Sequence, residues 1–97
     1  MRLFYRTSVK PAEVVAAADA FFTTLGMRAS SQGERARTFS GELGTLKLSV
    51  KMEGGHYTFV EAHTDQIGES RLDKNVKKFF VSLHRAADPS HRLEANY

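Results

Sequence analysis

The longest regular pattern of apolar and polar positions runs from Arg71 to Ala87. Apolar residues recur there every three or four positions, which gathers them on one side of an α-helix. Ser70 precedes the pattern and Asp73 follows three positions later, a pairing typical of a helix N-terminus. We therefore predict a long amphipathic helix whose apolar side needs a cover. Its apolar side consists of Leu72, Val76, Phe79, Phe80, Leu83 and Ala87, and its other side carries Lys74, Lys78, Val81 and Arg85.

The first part of the chain predicts a strand and a shorter helix. Residues alternate in type from Arg2 to Val9, as in a strand with one covered side. Pro11 suits the first turn of a helix, and Gly26 suits its end. The helix should reach about Leu25, with Asp19 facing away from the core. Its buried side is predicted to be Val14, Ala17, Ala18, Phe21, Phe22 and Leu25.

From Met27 the apolar pattern changes to a period of two, with glycines at the breaks, which predicts an antiparallel meander. The Gly54-Gly55 pair indicates a two-residue hairpin loop, because both central positions of such a turn need positive φ. A two-residue loop at Glu42-Leu43 or at Leu43-Gly44, and a three-residue loop at 32–34, would join the other strands. The predicted strands are Met27–Ser31, Arg35–Gly41, Thr45–Glu53 and His56–Thr64.

These loops fix which side chains share a face of the sheet. The side under the helices should carry Met27, Ala29, Phe39, Leu46, Leu48, Val50, Met52, Tyr57 and Phe59. The other side should carry Thr38, Ser40, Thr45, Lys47, Ser49, Lys51, Thr58, Val60, Ala62 and Thr64. This second side is expected to be flat, made of small side chains, and without an aromatic residue.

The predicted fold class is α+β, in the order β-α-β-β-β-β-α, with a curved antiparallel sheet and both helices on one face. One domain over residues 1–88 is expected, followed by a C-terminal tail at residues 89–97. The order of elements is similar to one repeat of the TATA-box-binding-protein fold, and to a shortened helix-grip fold. The first resemblance implies DNA binding on the sheet by inserted phenylalanines, which the predicted open side lacks. The second implies an apolar ligand.

Composition narrows the function only slightly. The chain has 97 residues, no cysteine and a net charge of +3, so we expect no disulfide or thiolate chemistry. The positive excess falls on the segment Arg71–Arg92. No apolar run is long enough to cross a bilayer, so a cytoplasmic protein is expected. No motif for a phosphate loop, a nucleophile elbow or a zinc site is present, so we predict no cofactor.

Two weak candidate sites remain. Glu61, His63 and Asp65 share one face of a strand and carry metal-binding and acid–base groups, although one strand rarely supplies a whole site. Arg37 falls on the core side, opposite Val50, where a guanidinium needs a partner. It is expected to reach water at the sheet edge, or to line a ligand pocket with Glu61 and His63.

The favoured function is a small non-catalytic binding module, and an enzyme has the least support. Contact with a protein partner, or self-association into a homo-oligomer, ranks first because the open side is flat. Nucleic-acid binding through basic residues of the open side or of the last helix is one alternative. An apolar ligand between the last helix and the sheet is the other. The residues expected to contact a partner are Arg28, Lys47, Ser49, Lys51, Thr58, Val60, Ala62, Lys74, Lys78 and Arg85.

Overall fold

The structure is a computed structural model that describes residues 1–31 and 33–87. Five antiparallel strands form one sheet, which is not closed, in the spatial order β1-β5-β4-β3-β2. The predicted fold class and element order are therefore confirmed, while the predicted tail from residue 89 lies outside the described residues. The elements are β1 (Arg2–Thr7), α1 (Pro11–Thr23), β2 (Arg28–Ser31), β3 (Ala36–Gly41), β4 (Gly44–Glu53), β5 (Tyr57–Thr64) and α2 (Arg71–Ala87).

The core lies between the two helices and one side of the sheet. Phe22 of α1 packs against Phe39 of β3 and Phe79 of α2, with ring centroids 5.1 and 5.3 Å apart. All three rings are fully buried. Aromatic rings at these separations contribute packing beyond the area that they bury, so one cluster joins both helices to the sheet.

The N-terminus of α2 is anchored by a buried carboxylate, as the pairing of Ser70 with Asp73 predicted. The Asp73 N–H donates to Ser70 Oγ at 3.1 Å, and Ser70 N–H donates back to Asp73 Oδ2 at 3.3 Å. Thr64 Oγ1 donates to Asp73 Oδ1 at 2.7 Å, which ties the helix to the end of β5. Burial raises the pKa of Asp73, but the hydrogen bonds from Thr64 and Ser70 together outweigh it, so the pKa lies below its usual value.

The hairpin between β4 and β5 differs from the prediction. Gly54 and Gly55 have the expected positive φ, but His56 is also part of the loop, and Glu53 pairs with Tyr57. The predicted two-residue loop is therefore wrong by one residue. The preceding hairpin does use one of the two predicted loops, since Gly41 pairs with Gly44 around Glu42-Leu43.

Because side chains alternate along a strand, the one-residue difference exchanges the two faces of β5. Val60 and Ala62, predicted to lie on the open side, are completely buried opposite Val50 and Leu48. The physical reason is that the observed register puts aliphatic side chains in the core. The predicted register would have put Glu61 there. Thr58, also predicted outside, is 2% exposed, and its Oγ1 donates to the Val9 carbonyl at 2.6 Å.

Strand β4 has the predicted faces over most of its length, with Leu46, Leu48 and Val50 buried and Lys47 and Lys51 exposed, but Met52, which was predicted to lie under the helices, is 44% exposed. The apolar side of the long helix is also confirmed, apart from its last residue. Leu72, Val76, Phe79, Phe80 and Leu83 are buried, whereas Ala87 is exposed.

Arg37 lies on the helix-covered side, as predicted, but opposite Leu48 instead of Val50. Its Nε is 3.1 Å from Asp19 Oδ1, so the partner of this guanidinium comes from α1. Asp19 was expected to face away, and Arg37 was expected to reach water at the sheet edge or to line a pocket with Glu61 and His63. The expectation for Asp19 is wrong, because α1 crosses close to β3, and Glu61 belongs to the opposite face of the sheet from Arg37.

Candidate functional site

The side of the sheet turned away from the helices is the candidate site, and we call it the open face. It consists of the outward positions of the five strands. Strand β4 lies in its middle and contributes Lys47, Ser49, Lys51 and Glu53. The other members are Arg2, Phe4 and Arg6 of β1, Arg28 and Ser30 of β2, Thr38 and Ser40 of β3, and Tyr57, Phe59, Glu61 and His63 of β5.

The open face carries aromatic rings. Phe4 and Phe59 stack across β1 and β5, with ring centroids 5.4 Å apart and planes inclined by 24°. Phe4 is 49% exposed, and Tyr57, further along β5, is 55% exposed. The expectation of a face without aromatics is therefore wrong. It followed from the wrong β5 register and from leaving out β1, whose alternation already grouped Phe4 with Arg2 and Arg6.

Cationic side chains surround these two rings. The Arg6 guanidinium carbon lies 4.9 Å from the centroid of Phe59, and Lys51 Nζ lies 5.6 Å from the same centroid. The Arg2 guanidinium carbon is 5.6 Å from the centroid of Phe4. A cation over a ring face at these distances is attracted by the ring quadrupole. The rings and cations thus form one continuous surface along β1 and β5.

Two glutamates hold the arginines in position. Arg2 Nε is 3.0 Å from Glu61 Oε2, and Arg6 Nε is 2.6 Å from Glu53 Oε1. These exposed pairs contribute little to stability, but they orient each guanidinium beside a ring. Since arginines already occupy both carboxylates, Lys47 and Lys51 have no carboxylate partner in the part of the chain that the structure describes.

The open face is electropositive. It carries the side chains of Arg2, Arg6, Arg28, Lys47 and Lys51, against only two carboxylates, so three positive charges remain in excess. Such a concentration of one sign attracts polyanions over the range of a Debye length, about 8–10 Å at physiological salt.

A hollow of about 650 Å³ lies along β4 and opens to solvent, with Lys47, Ser49, Glu61 and His63 among the residues that line it. Cross-strand pairing brings its polar groups together, because His63 stands between Arg2 and Lys47, and Ser49 stands opposite Glu61. Arg37 also borders it. Glu61 and His63 thus meet at this hollow, whereas the guanidinium of Arg37 is bound to Asp19 on the covered side of the sheet. The hollow lies on the open face, however, and not between α2 and the sheet as predicted.

The proposed acid–base trio is not assembled. Glu61 and His63 belong to the open face, whereas Asp65 lies beyond the strand and accepts hydrogen bonds from Thr45 N–H at 2.9 Å and Gln66 Nε2 at 2.7 Å. These two bonds lower the pKa of Asp65. Within residues 1–31 and 33–87, no group of three or more His, Asp or Glu side chains is placed to hold a metal ion.

The predicted contact residues fall on two surfaces. Arg28, Lys47, Ser49 and Lys51 are exposed on the open face, as predicted. Lys74, Lys78 and Arg85 are exposed on α2, on the far side of the core. Thr58, Val60 and Ala62 contribute to neither, since they are buried.

Comparison with known proteins adds no relative. The chain matches no protein-family model, and no curated protein is significantly similar to it in sequence. Among the described residues, no helix combines the length and apolar character needed to cross a membrane.

Proposed function

We propose that this protein binds single-stranded nucleic acid on its open face. The observation that carries the proposal is the half-exposed Phe4 ring, stacked on Phe59 within a surface that has an excess of positive charge. Among the functions predicted from the sequence, nucleic-acid binding through basic residues ranked second, and the expected lack of aromatic rings on the open side spoke against stacking with unpaired bases. The structure removes that objection.

The aromatic rings favour a single strand over a duplex. Unpaired bases are free to stack on aromatic side chains of a sheet, and each stack contributes about 1–3 kcal/mol. In a duplex the bases already stack on one another and are not available. Because stacking on a ring does not depend strongly on base identity, we expect low sequence specificity.

The lysines supply the backbone contacts. Lys47 and Lys51 lie four residues apart on the same side of β4, which separates their Cα atoms by about 13 Å. At this spacing they reach different phosphates of one strand. Both are exposed, and neither is neutralised by a carboxylate among the described residues.

One structural argument for each of the two competing functions is weakened. Protein contact or self-association was favoured by a flat patch around Val60 and Ala62, and both residues are in the core. Two copies meeting through their open faces would also bring like charges together. For an apolar ligand between α2 and the sheet, the required space is filled by Phe22, Phe39 and Phe79.

Fluorescence anisotropy with short labelled single strands, one of DNA and one of RNA, tests the proposal. Wild-type protein should bind at low salt. The affinity falls as the salt concentration rises. Each lysine that contacts a phosphate should steepen the plot of log affinity against log salt concentration by about 0.7. The double variant Lys47→Gln/Lys51→Gln should therefore bind more weakly and lose about 1.4 from the slope of this plot.

The aromatic contribution is tested separately. Phe4→Ser should weaken binding by a factor of about 5 to 150, the loss of one stacked base. Ile67→Ser is the matched control, because Ile67 is a fully exposed apolar residue in the loop before α2 and does not belong to the strands that form the open face. The proposal fails if neither strand binds at low salt, or if the two serine variants bind equally.

A further inference from the structure

The exposed side of α2 is a second basic surface, which we call the α2 ridge. Its members are Arg71, Lys74, Lys78 and Arg85, all exposed. They are three, four and seven residues apart, so they lie along one side of the helix. With a rise of about 1.5 Å per residue, the row is about 21 Å long.

No carboxylate neutralises this row within the described residues. Asp73 belongs to the same helix, but it is buried and accepts hydrogen bonds from Thr64 and Ser70. Glu69 is bound to Lys77, with Lys77 Nζ 2.6 Å from Glu69 Oε1, and Lys77 lies to one side of the row. Glu69 also attracts Lys74 electrostatically, but none of the four cations of the row forms an ion pair among the described residues.

Among the described residues, the ridge differs from the open face in having no aromatic ring in its row on which a base could stack. Val81 is the nearest apolar neighbour on that side and is half-buried. A surface that offers charge alone matches the phosphate backbone of a duplex, whose bases are turned inward. It offers nothing to an unpaired base.

The two surfaces are separated by the whole core, because Val76, Phe79 and Leu83 of α2 face the covered side of the sheet. A nucleic acid on the ridge is therefore a different segment from one on the open face. We infer that the ridge binds the backbone of a nucleic-acid duplex while the open face holds a single strand, so that one molecule bridges the two. The single-strand half of this inference rests on the proposed function, and the duplex half does not.

Binding of a blunt, fully paired DNA duplex by the full chain tests the ridge alone. Wild-type protein should bind it at low salt, and Lys74→Gln/Lys78→Gln should lower the salt slope by about 1.8, the release of counterions from two phosphates. Lys77→Gln is the matched control from the same helix and should leave duplex binding unchanged. Equal effects of the double variant and the control would overturn the assignment of the ridge.

Bridging is measured by energy transfer between a donor-labelled duplex and an unpaired, non-complementary strand that carries the acceptor. Addition of wild-type protein should produce transfer, and Lys74→Gln/Lys78→Gln should abolish it while single-strand binding persists. Competition between duplex and strand for one surface would overturn bridging. Duplex binding without any strand binding would instead refute the proposed function, and strand binding without duplex binding would refute only the ridge.

Discussion

The two sides of the sheet use phenylalanine in opposite ways. On the covered side, Phe39 is fully buried and joins the rings of Phe22 and Phe79. On the open face, Phe4 is 49% exposed, and its partner Phe59 has cations over it. The first group stabilises the fold, and the second lies on the surface that we propose to bind a single strand.

This difference teaches that residue type alone does not assign a phenylalanine to the core. The register of one hairpin decides where Phe59 lies, because a shift of one residue moves every side chain of β5 to the other face. The same register buries Val60 and Ala62. Core and candidate site are therefore determined together by the length of one loop.

The largest effect should come from Phe79→Ala, which removes a ring from the centre of the core. We expect a loss of about 3–5 kcal/mol in the free energy of unfolding, a large fraction of the stability of a small domain. Urea denaturation measures it. Phe4→Ala should cost far less in the same assay, and equal losses from the two variants would remove the distinction between the two groups.

Two adjacent residues of β5 test its register directly. Val60→Thr keeps the side-chain volume but places a hydroxyl in the core, and should cost about 1–3 kcal/mol. Glu61→Thr, one position along, changes the open face and should stay within about 0.5 kcal/mol of wild type. A larger loss of stability from Glu61→Thr than from Val60→Thr would indicate the register that was predicted from the Gly-Gly pair.

Asp73 extends the comparison of buried and exposed residues to a polar side chain, because it is buried in α2. Its pKa is lowered in the folded protein, so its stabilisation is present above the unfolded-state pKa of about 4. It is lost as the pH falls through the folded value. Asp73→Asn should cost about 1–2 kcal/mol near neutral pH, since neutral hydrogen bonds are weaker than charged ones.

Unfolding free energies measured from neutral to acidic pH check this expectation. The difference in unfolding free energy between wild type and Asp73→Asn should become smaller as the pH falls below about 4. A difference that stays constant over the whole range would show that the charge of Asp73 does not stabilise the fold.

The smallest effect on stability should come from the α2 ridge. Lys78→Ala removes an exposed side chain that forms no ion pair with the described residues, and it should change the free energy of unfolding by less than about 0.5 kcal/mol. Thermal unfolding of this variant beside Phe79→Ala compares neighbouring residues on opposite sides of one helix. Similar shifts in Tm would mean that the two sides of α2 have been confused.

Much of the fold follows from local patterns. The apolar period and the Ser70–Asp73 pairing define α2, and strict alternation defines the faces of β4, because each of these depends on neighbouring residues. The faces of β5 are less evident from its sequence, since one side combines Tyr57 and Phe59 with polar residues. Neither side of β5 is clearly apolar, so burial in the core decided the register.

The candidate site was predicted only in part, because it depends on contacts between distant segments. Lys47 and Lys51 were placed correctly by alternation along β4. The pairing of β1 with β5 brings Phe4 beside Phe59, although these residues are far apart in the chain. The Arg37–Asp19 contact likewise depends on how α1 crosses the sheet, which no local pattern encodes.

The most direct test of the central claim is an aromatic ¹H–¹³C correlation spectrum, recorded while an unpaired oligonucleotide is added. Stacked bases shift the resonances of rings that they contact. The ring signals of Phe4 and Phe59 should move as the strand binds, while those of Phe22, Phe39 and Phe79 stay in place. Binding that leaves the Phe4 and Phe59 signals unmoved would contradict the claim that the open face is where the strand lies.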